Sequence, residues 1–248
     1  MLSHMVNGIL GPLHMSVQEV KDSQYKISPN LVTEDGILPL NELLGFTLQI
    51  EKTGKFHCKE CLHEYVYEIG ECCDICLNPL KSDDSSPHII YLAVSQSAFI
   101  GSVPVLDAKS HWEKMGTSQV IPVARASSQS IARDVMAKSG IRSADTVKPV
   151  EFIIGSRNDI ELSKHAESVK CLIKEQYQHY ECSPVASLKR YYGHLLPKNA
   201  NRNRLSLNND VEGVFIGVVG NLLLLDCGYI DLIQSSGVEA NIKFTQKQ

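Results

Sequence analysis

The stretch that decides the fold lies between His88 and Arg125. It opens as His88-Ile-Ile-Tyr-Leu-Ala-Val94, pauses at Ser95-Gln-Ser97 and resumes as Ala98-Phe-Ile-Gly-Ser-Val103. Two short apolar runs parted by three polar residues predict a β-hairpin. Asp107 then stands where a helix N-cap is expected, Trp112 and Met115 share one helical face, and Gly116 supplies a stop. Val120 to Ala124 reads as a third strand. Ser127 or Ser128 caps a second helix with Ile131, Ala132, Val135 and Met136 on its apolar face, and Gly140 ends it. The predicted order is β-β-α-β-α.

Working outward, Leu162, Ala166, Val169, Ile173 and Tyr177 recur at three- and four-residue steps and predict a helix from Asn158 to Tyr180. Upstream, Tyr25-Lys-Ile-Ser28 and Phe46-Thr-Leu-Gln-Ile50 alternate apolar and polar, so residues 1–50 read as a β-rich segment. Residues 181–209 are polar and basic and read as a loop. Residues 210–248 hold three strand-like runs, Val214–Val219, Leu222–Asp226 and Tyr229–Ile233, punctuated by glycines. They predict a small antiparallel sheet of tight turns.

Residues 51–80 carry the clearest chemical motif, Cys58-Lys-Glu-Cys61 followed by Cys73-Asp-Ile-Cys76. A Cys-x2-Cys turn aims two sulfurs at one ion, and two such turns complete the tetrahedron that zinc prefers. Four thiolates leave no open position, so the expected Zn(2+) site is structural. It supplies stability that so short a segment cannot draw from a core of its own. Cys72 in place of Cys73 is the internal alternative. His57 and His63 flank the first pair and read as neighbours of the site, not ligands. The knuckle's Lys55 and Lys59 are outweighed by Glu60, Glu64, Glu68 and Glu71, so it makes no phosphate grip by itself.

Eight cysteines, five of them packed around this motif, fit a reducing compartment better than a secreted disulfide scaffold. The first residues lack a basic n-region, and no run of eighteen apolar residues occurs, so no signal peptide, no membrane span and a cytoplasmic location are expected. The net charge of −4 means that any grip on nucleic acid must come from a local patch. One such patch exists. No acid interrupts the chain between Glu181 and Asp210, whereas Lys189, Arg190, Lys198, Arg202 and Arg204 occur there with Tyr191, Tyr192 and His194. Cations neutralise phosphates, and aromatic rings stack on unpaired bases.

Four motifs in order carry a family resemblance. Leu38-Pro-Leu-Asn-Glu-Leu-Leu-Gly45 is the first, and Ile89-Ile-Tyr-Leu-Ala93 with Phe99-Ile-Gly101 the second. His111-Trp-Glu-Lys-Met-Gly116 leading to Ile121-Pro-Val-Ala-Arg125 is the third, and Gly213-Val-Phe-Ile-Gly217-Val-Val-Gly220 the fourth. Over residues 20–244 the chain resembles a bacterial domain-of-unknown-function family. Members join a four-cysteine zinc knuckle to a GIY-YIG-like domain and a C-terminal Gly-rich β unit. The resemblance implies an α+β protein, with residues 88–180 as the GIY-YIG-like domain plus a helix.

Nucleases of the GIY-YIG fold use tyrosines to help activate water, an arginine to steady phosphate and a glutamate to hold a divalent cation. By that resemblance Tyr91 matches the first tyrosine. Phe99 stands at the second and lacks the hydroxyl. His111 stands at the arginine, and Met136 at the glutamate. Asp134 lies two residues away, about 200° around a helix and so on the far face. The expected function is a non-catalytic nucleic-acid-binding protein with contacts through Tyr91, His111, Lys189, Arg190, Arg202 and Arg204. The alternatives are a zinc-knuckle protein–protein adaptor and a divergent metal-dependent nuclease.

Overall fold

The structure, a computed structural model, describes residues 3–21, 23–33, 36–58, 64–65, 86–154, 162–177, 183–184, 189–192, 197 and 200–246. The chain is a mixed α+β protein that divides into two compact units. One holds Met1–Ser16, Ser28–Pro79 and Gly193–Gln248; the other holds Val17–Ile27 and Leu80–Tyr192.

In chain order the strands begin with β1 (Ser3–Ile9), β2 (His14–Lys21), β3 (Gln24–Thr33), β4 (Gly36–Pro39), β5 (Thr47–His57) and β6 (Glu64–Tyr65). The central stretch follows as β7 (His88–Val94), β8 (Ala98–Pro104), helix α1 (Ala108–Met115), β9 (Gln119–Ala126) and helix α2 (Gln129–Lys138). Helices α3 (Val150–Ile153) and α4 (Leu162–Gln176) precede β10 (Ser183–Pro184) and β11 (Lys189–Tyr192). The last strands are β12 (Val211–Val219), β13 (Leu222–Leu225), β14 (Gly228–Asp231) and β15 (Val238–Thr245). Among the described residues no helix is long and apolar enough to cross a membrane.

The first unit is built on an antiparallel sheet ordered β1-β15-β5-β12-β13-β14, with β6 added to β5. Its strands carry the fully buried Leu48, Ile50, Leu224 and Ile230, and Phe215 meets Phe244 edge to face at 6.1 Å. Each such side chain contributes about 1.5–3 kcal/mol by leaving water. The three C-terminal runs read from the sequence are β12, β13 and β14. The structure adds β15, which inserts between β1 and β5. The C-terminal strands are therefore part of a larger sheet, and β12 pairs with β5.

In the second unit β7 and β8 form the expected hairpin, pairing His88 with Pro104 through Val94 with Ala98. Strand β9 pairs antiparallel with β7 on its other edge, so β7 is central. Strand β11 joins β9 and then pairs in parallel with the tip of β3. Alternation along β7 separates two faces. Ile90, Leu92 and Val94 point into a core with Ala132 and Val135 of α2 and Leu162, Ala166, Val169 and Ile173 of α4. Tyr91 points the other way, where its ring meets Trp112 of α1 at 6.0 Å. Phe99 meets Phe152 of α3 at 6.1 Å.

Local signals set the helix ends with two adjustments. Ser128 is the cap of α2, its Oγ accepting from the Ile131 N–H at 3.3 Å, and Gly116 ends α1 at φ 86°, a conformation that suits glycine. Asp107 occupies the N-cap position of α1, but its backbone is already helical and its side chain caps nothing. The third expected helix is α4, described from Leu162 to Gln176.

Candidate functional site

The site begins with Gly101. It sits opposite Tyr91 in the β7–β8 register, and a Cβ there would lie 2.5 Å from the tyrosine Oη and 2.6 Å from its Cζ. The missing side chain lets the Tyr91 ring lie flat across the neighbouring strand. A β-bulge between Ile90 and Tyr91 shifts the register against β9, so that Tyr91 faces Pro122. Bulges re-aim side chains, and they also tolerate a proline that cannot donate to the ladder.

Tyr91 is 2% exposed, and its hydroxyl meets His111 Nε2 at 2.8 Å. Burial pushes the phenol pKa upward, and Asp145 adds to the rise. Burial pulls the imidazole pKa down, against the opposing charge of Asp107. His111 is exposed as a residue, yet its Nε2 faces inward onto the buried hydroxyl. The pair is thus neutral. In a neutral imidazole one ring nitrogen donates and the other accepts, so the Tyr91–His111 hydrogen bond forms in either tautomer.

The basic stretch reaches the same face. The sequence reads 181–209 as a loop, but Lys189–Tyr192 is strand β11. Its pairing with β9 places the Lys189 ammonium 5.3 Å from the Trp112 ring centre and 5.5 Å from that of Tyr25. Tyr25 stacks on Tyr191 at 5.3 Å. Burial raises the pKa of Glu113, while Lys109, Lys114 and Lys189 oppose the shift. Trp112 Nε1 is buried with no hydrogen-bond partner among the described residues.

Of the expected contact residues, Tyr91, His111 and Lys189 converge. Arg190 does not join them, because alternation along β11 turns it to the opposite face, where it is exposed. Arg202 and Arg204 belong to the other unit and are exposed there. Arg204 bridges Tyr229 and lines a polar cleft with Ser206, Asn208, Gln234 and Ser235. Tyr25 and Asp145 complete the site from segments that no local motif connects to it, and Glu113 joins from α1 itself.

The residues matched to a nuclease's metal ligand are elsewhere. Met136 packs into the α2–α4 core, on the side of the sheet away from Tyr91. Asp134 accepts from the Tyr177 hydroxyl at 2.6 Å and from Lys138 at 3.0 Å.

Of the four candidate zinc ligands, Cys61, Cys73 and Cys76 lie outside the described residues, as does Cys72. Cys58 is described and is 1% exposed at the end of β5. Pairing of Phe56 with Tyr65 and of His57 with Glu64 brackets the residues from 58 to 63, which contain the first Cys-x2-Cys. His57 Nε2 lies 2.9 Å from Glu239 on β15. Among the described residues no three His, Cys, Asp or Glu side chains cluster as a metal site.

Together these features define a two-unit α+β protein with a tyrosine–histidine and lysine–aromatic face on its central sheet. The family model of DUF2797, proteins of unknown function, matches residues 80–240, and the chain belongs to this family. Cys58, Cys61, Cys73 and Cys76 precede the matched stretch. No curated protein and no solved structure compared with the chain matches it.

Proposed function

We propose that this is a zinc-stapled, non-catalytic nucleic-acid-binding protein whose contact surface is the α1 face of the second unit, a degenerate GIY-YIG-like face. The observation that carries the reading is the convergence of Lys189 with Trp112, Tyr91 and His111. The acid-free stretch returns to the sheet as β11 and delivers its lysine to the face that the β-β-α-β-α unit builds. The element order and the central position of β7 support the GIY-YIG-like part.

A binding role is favoured over a catalytic one by the fate of the matched residues. Phe99 is spent on packing against Phe152, and Met136 lies in the opposite layer. Cys58, Cys61, Cys73 and Cys76 would hold the zinc. The buried Cys58 and the β5–β6 pairing around the first Cys-x2-Cys suit a knuckle. Zinc held by four thiolates supplies folding energy.

A second reading, a protein–protein adaptor, is favoured by Val32 and Ile37. They are cross-strand partners in the unit that contains Cys58, and they are 52% and 61% exposed.

The test is a titration of the zinc-loaded protein with labelled single- and double-stranded DNA and RNA at two salt concentrations. Binding should weaken with salt, and Lys189→Ala should weaken it alike for all sequences, lowering the salt slope by about one. Failure to bind any of them at low salt overturns the reading in favour of the adaptor.

A further inference from the structure

Four rings of the α1 face are closed. Trp112, Tyr91 and Tyr191 are 4%, 2% and 4% exposed. Tyr25 is more open, but Tyr191 is stacked on it and the Lys189 ammonium lies over its ring. An unpaired base needs an open π-face to stack upon, and none of these four rings offers one.

The face instead presents charge and simple donors. Lys109, Ser110 and His111 are exposed on α1. Arg125 is exposed on β9, where it pairs with Ile89 and so shares the side of the sheet that Tyr91 faces. Lys189 is half-buried beside Trp112. Such groups reach phosphate oxygens without reading a base edge. Asp107, Glu113 and Asp145 lie among them and temper the potential, which keeps the grip in the range of non-specific binding, about 10⁻⁴–10⁻⁶ M at physiological salt.

We infer that this face reads the phosphodiester backbone alone, so that its ligand class is a polyanionic sugar–phosphate chain whatever bases it carries. The inference rests on the nucleic-acid reading above and narrows it, since stacking would select unpaired strands and backbone contact does not.

The experiment compares a labelled oligothymidylate with an abasic tetrahydrofuran–phosphate oligomer of the same length, against the full zinc-loaded protein at low and moderate salt. One stacked base is worth at least about fivefold in affinity. Affinities equal within about threefold, with the same salt slope, are expected. Trp112 is the sole tryptophan, so the intrinsic emission reports on this face directly and should stay unquenched on binding. A larger preference for oligothymidylate overturns the inference and leaves the nucleic-acid reading standing. Absence of binding to both polymers at low salt overturns the two together. Equal binding that Lys109→Gln with Lys189→Gln leaves unchanged also overturns the inference, because the backbone contact then lies elsewhere on the protein.

Discussion

The Tyr91 hydroxyl lies 2.8 Å from His111 Nε2, joining the middle of the central strand to the helix that covers it. Burial holds the imidazole below its ordinary value of about 6.5. Between the folded value and the ordinary one, the unfolded chain carries a proton that the folded chain lacks. This group's contribution is therefore complete above about pH 6.5 and falls as the pH drops through that window. NMR titration of the His111 ring should give a pKa below the ordinary range. Asp107→Asn should lower it further, because the aspartate charge is what opposes the shift. A value at or above 6.5 would refute the neutral pair.

Gly101→Ala should cost about 1–3 kcal/mol, because the new methyl cannot coexist with the Tyr91 ring where it now lies. Urea denaturation reads the loss. In a Tyr91→Leu background the same substitution should cost much less, and the coupling between the two sites measures the contact. Equal costs in both backgrounds would show that the ring does not need the glycine.

Glu151 is buried and takes two guanidinium contacts from Arg142, at 2.6 and 2.7 Å, with the Lys148 N–H donating to it at 3.0 Å. The Arg142 hydrogen bonds hold its pKa down to about 2, from 4.5. Its contribution is fully present above pH 4.5 and is lost as the pH falls toward 2. Glu151→Gln should cost about 2 kcal/mol at pH 7, a figure reduced because Arg142 is one-third exposed. The gap to wild type should close in acid. Denaturant midpoints at neutral and acid pH test this, and a gap independent of pH would refute it.

The knuckle should bind one zinc ion per chain, read by elemental analysis of purified protein. Cys58→Ser should lose the metal and lower the melting temperature. Cys73→Ser should do the same, while Cys72→Ser should keep the metal. If Cys72 and Cys73 exchange these outcomes, Cys72 is the ligand, and metal retained by Cys58→Ser would remove the site altogether.

Local interactions are the ones legible in the sequence. The β7–β8 hairpin follows from two apolar runs and a three-residue break. The α2 cap follows from a serine three residues before the amide it accepts from. The stripe on α4 follows from helical periodicity, because Leu162, Ala166, Val169 and Ile173 had to share one face. Tyr91 and His111 were legible as candidates, but their contact was not.

What the sequence by itself determined is the order of elements in the second unit, its apolar faces, the cysteine spacing and the acid-free stretch. Only the tertiary structure decided where that stretch goes. Lys189 reaches Trp112 because β11 pairs with β9 and, in parallel, with β3, and neither partner is near it in the chain. Once that stretch is a strand, alternation turns Arg190 away from Lys189, its neighbour in sequence. The insertion of β15 between β1 and β5 was hidden for the same reason. Backbone hydrogen bonds between distant strands carry no signature in local composition, and a strand's register decides which of its side chains meet.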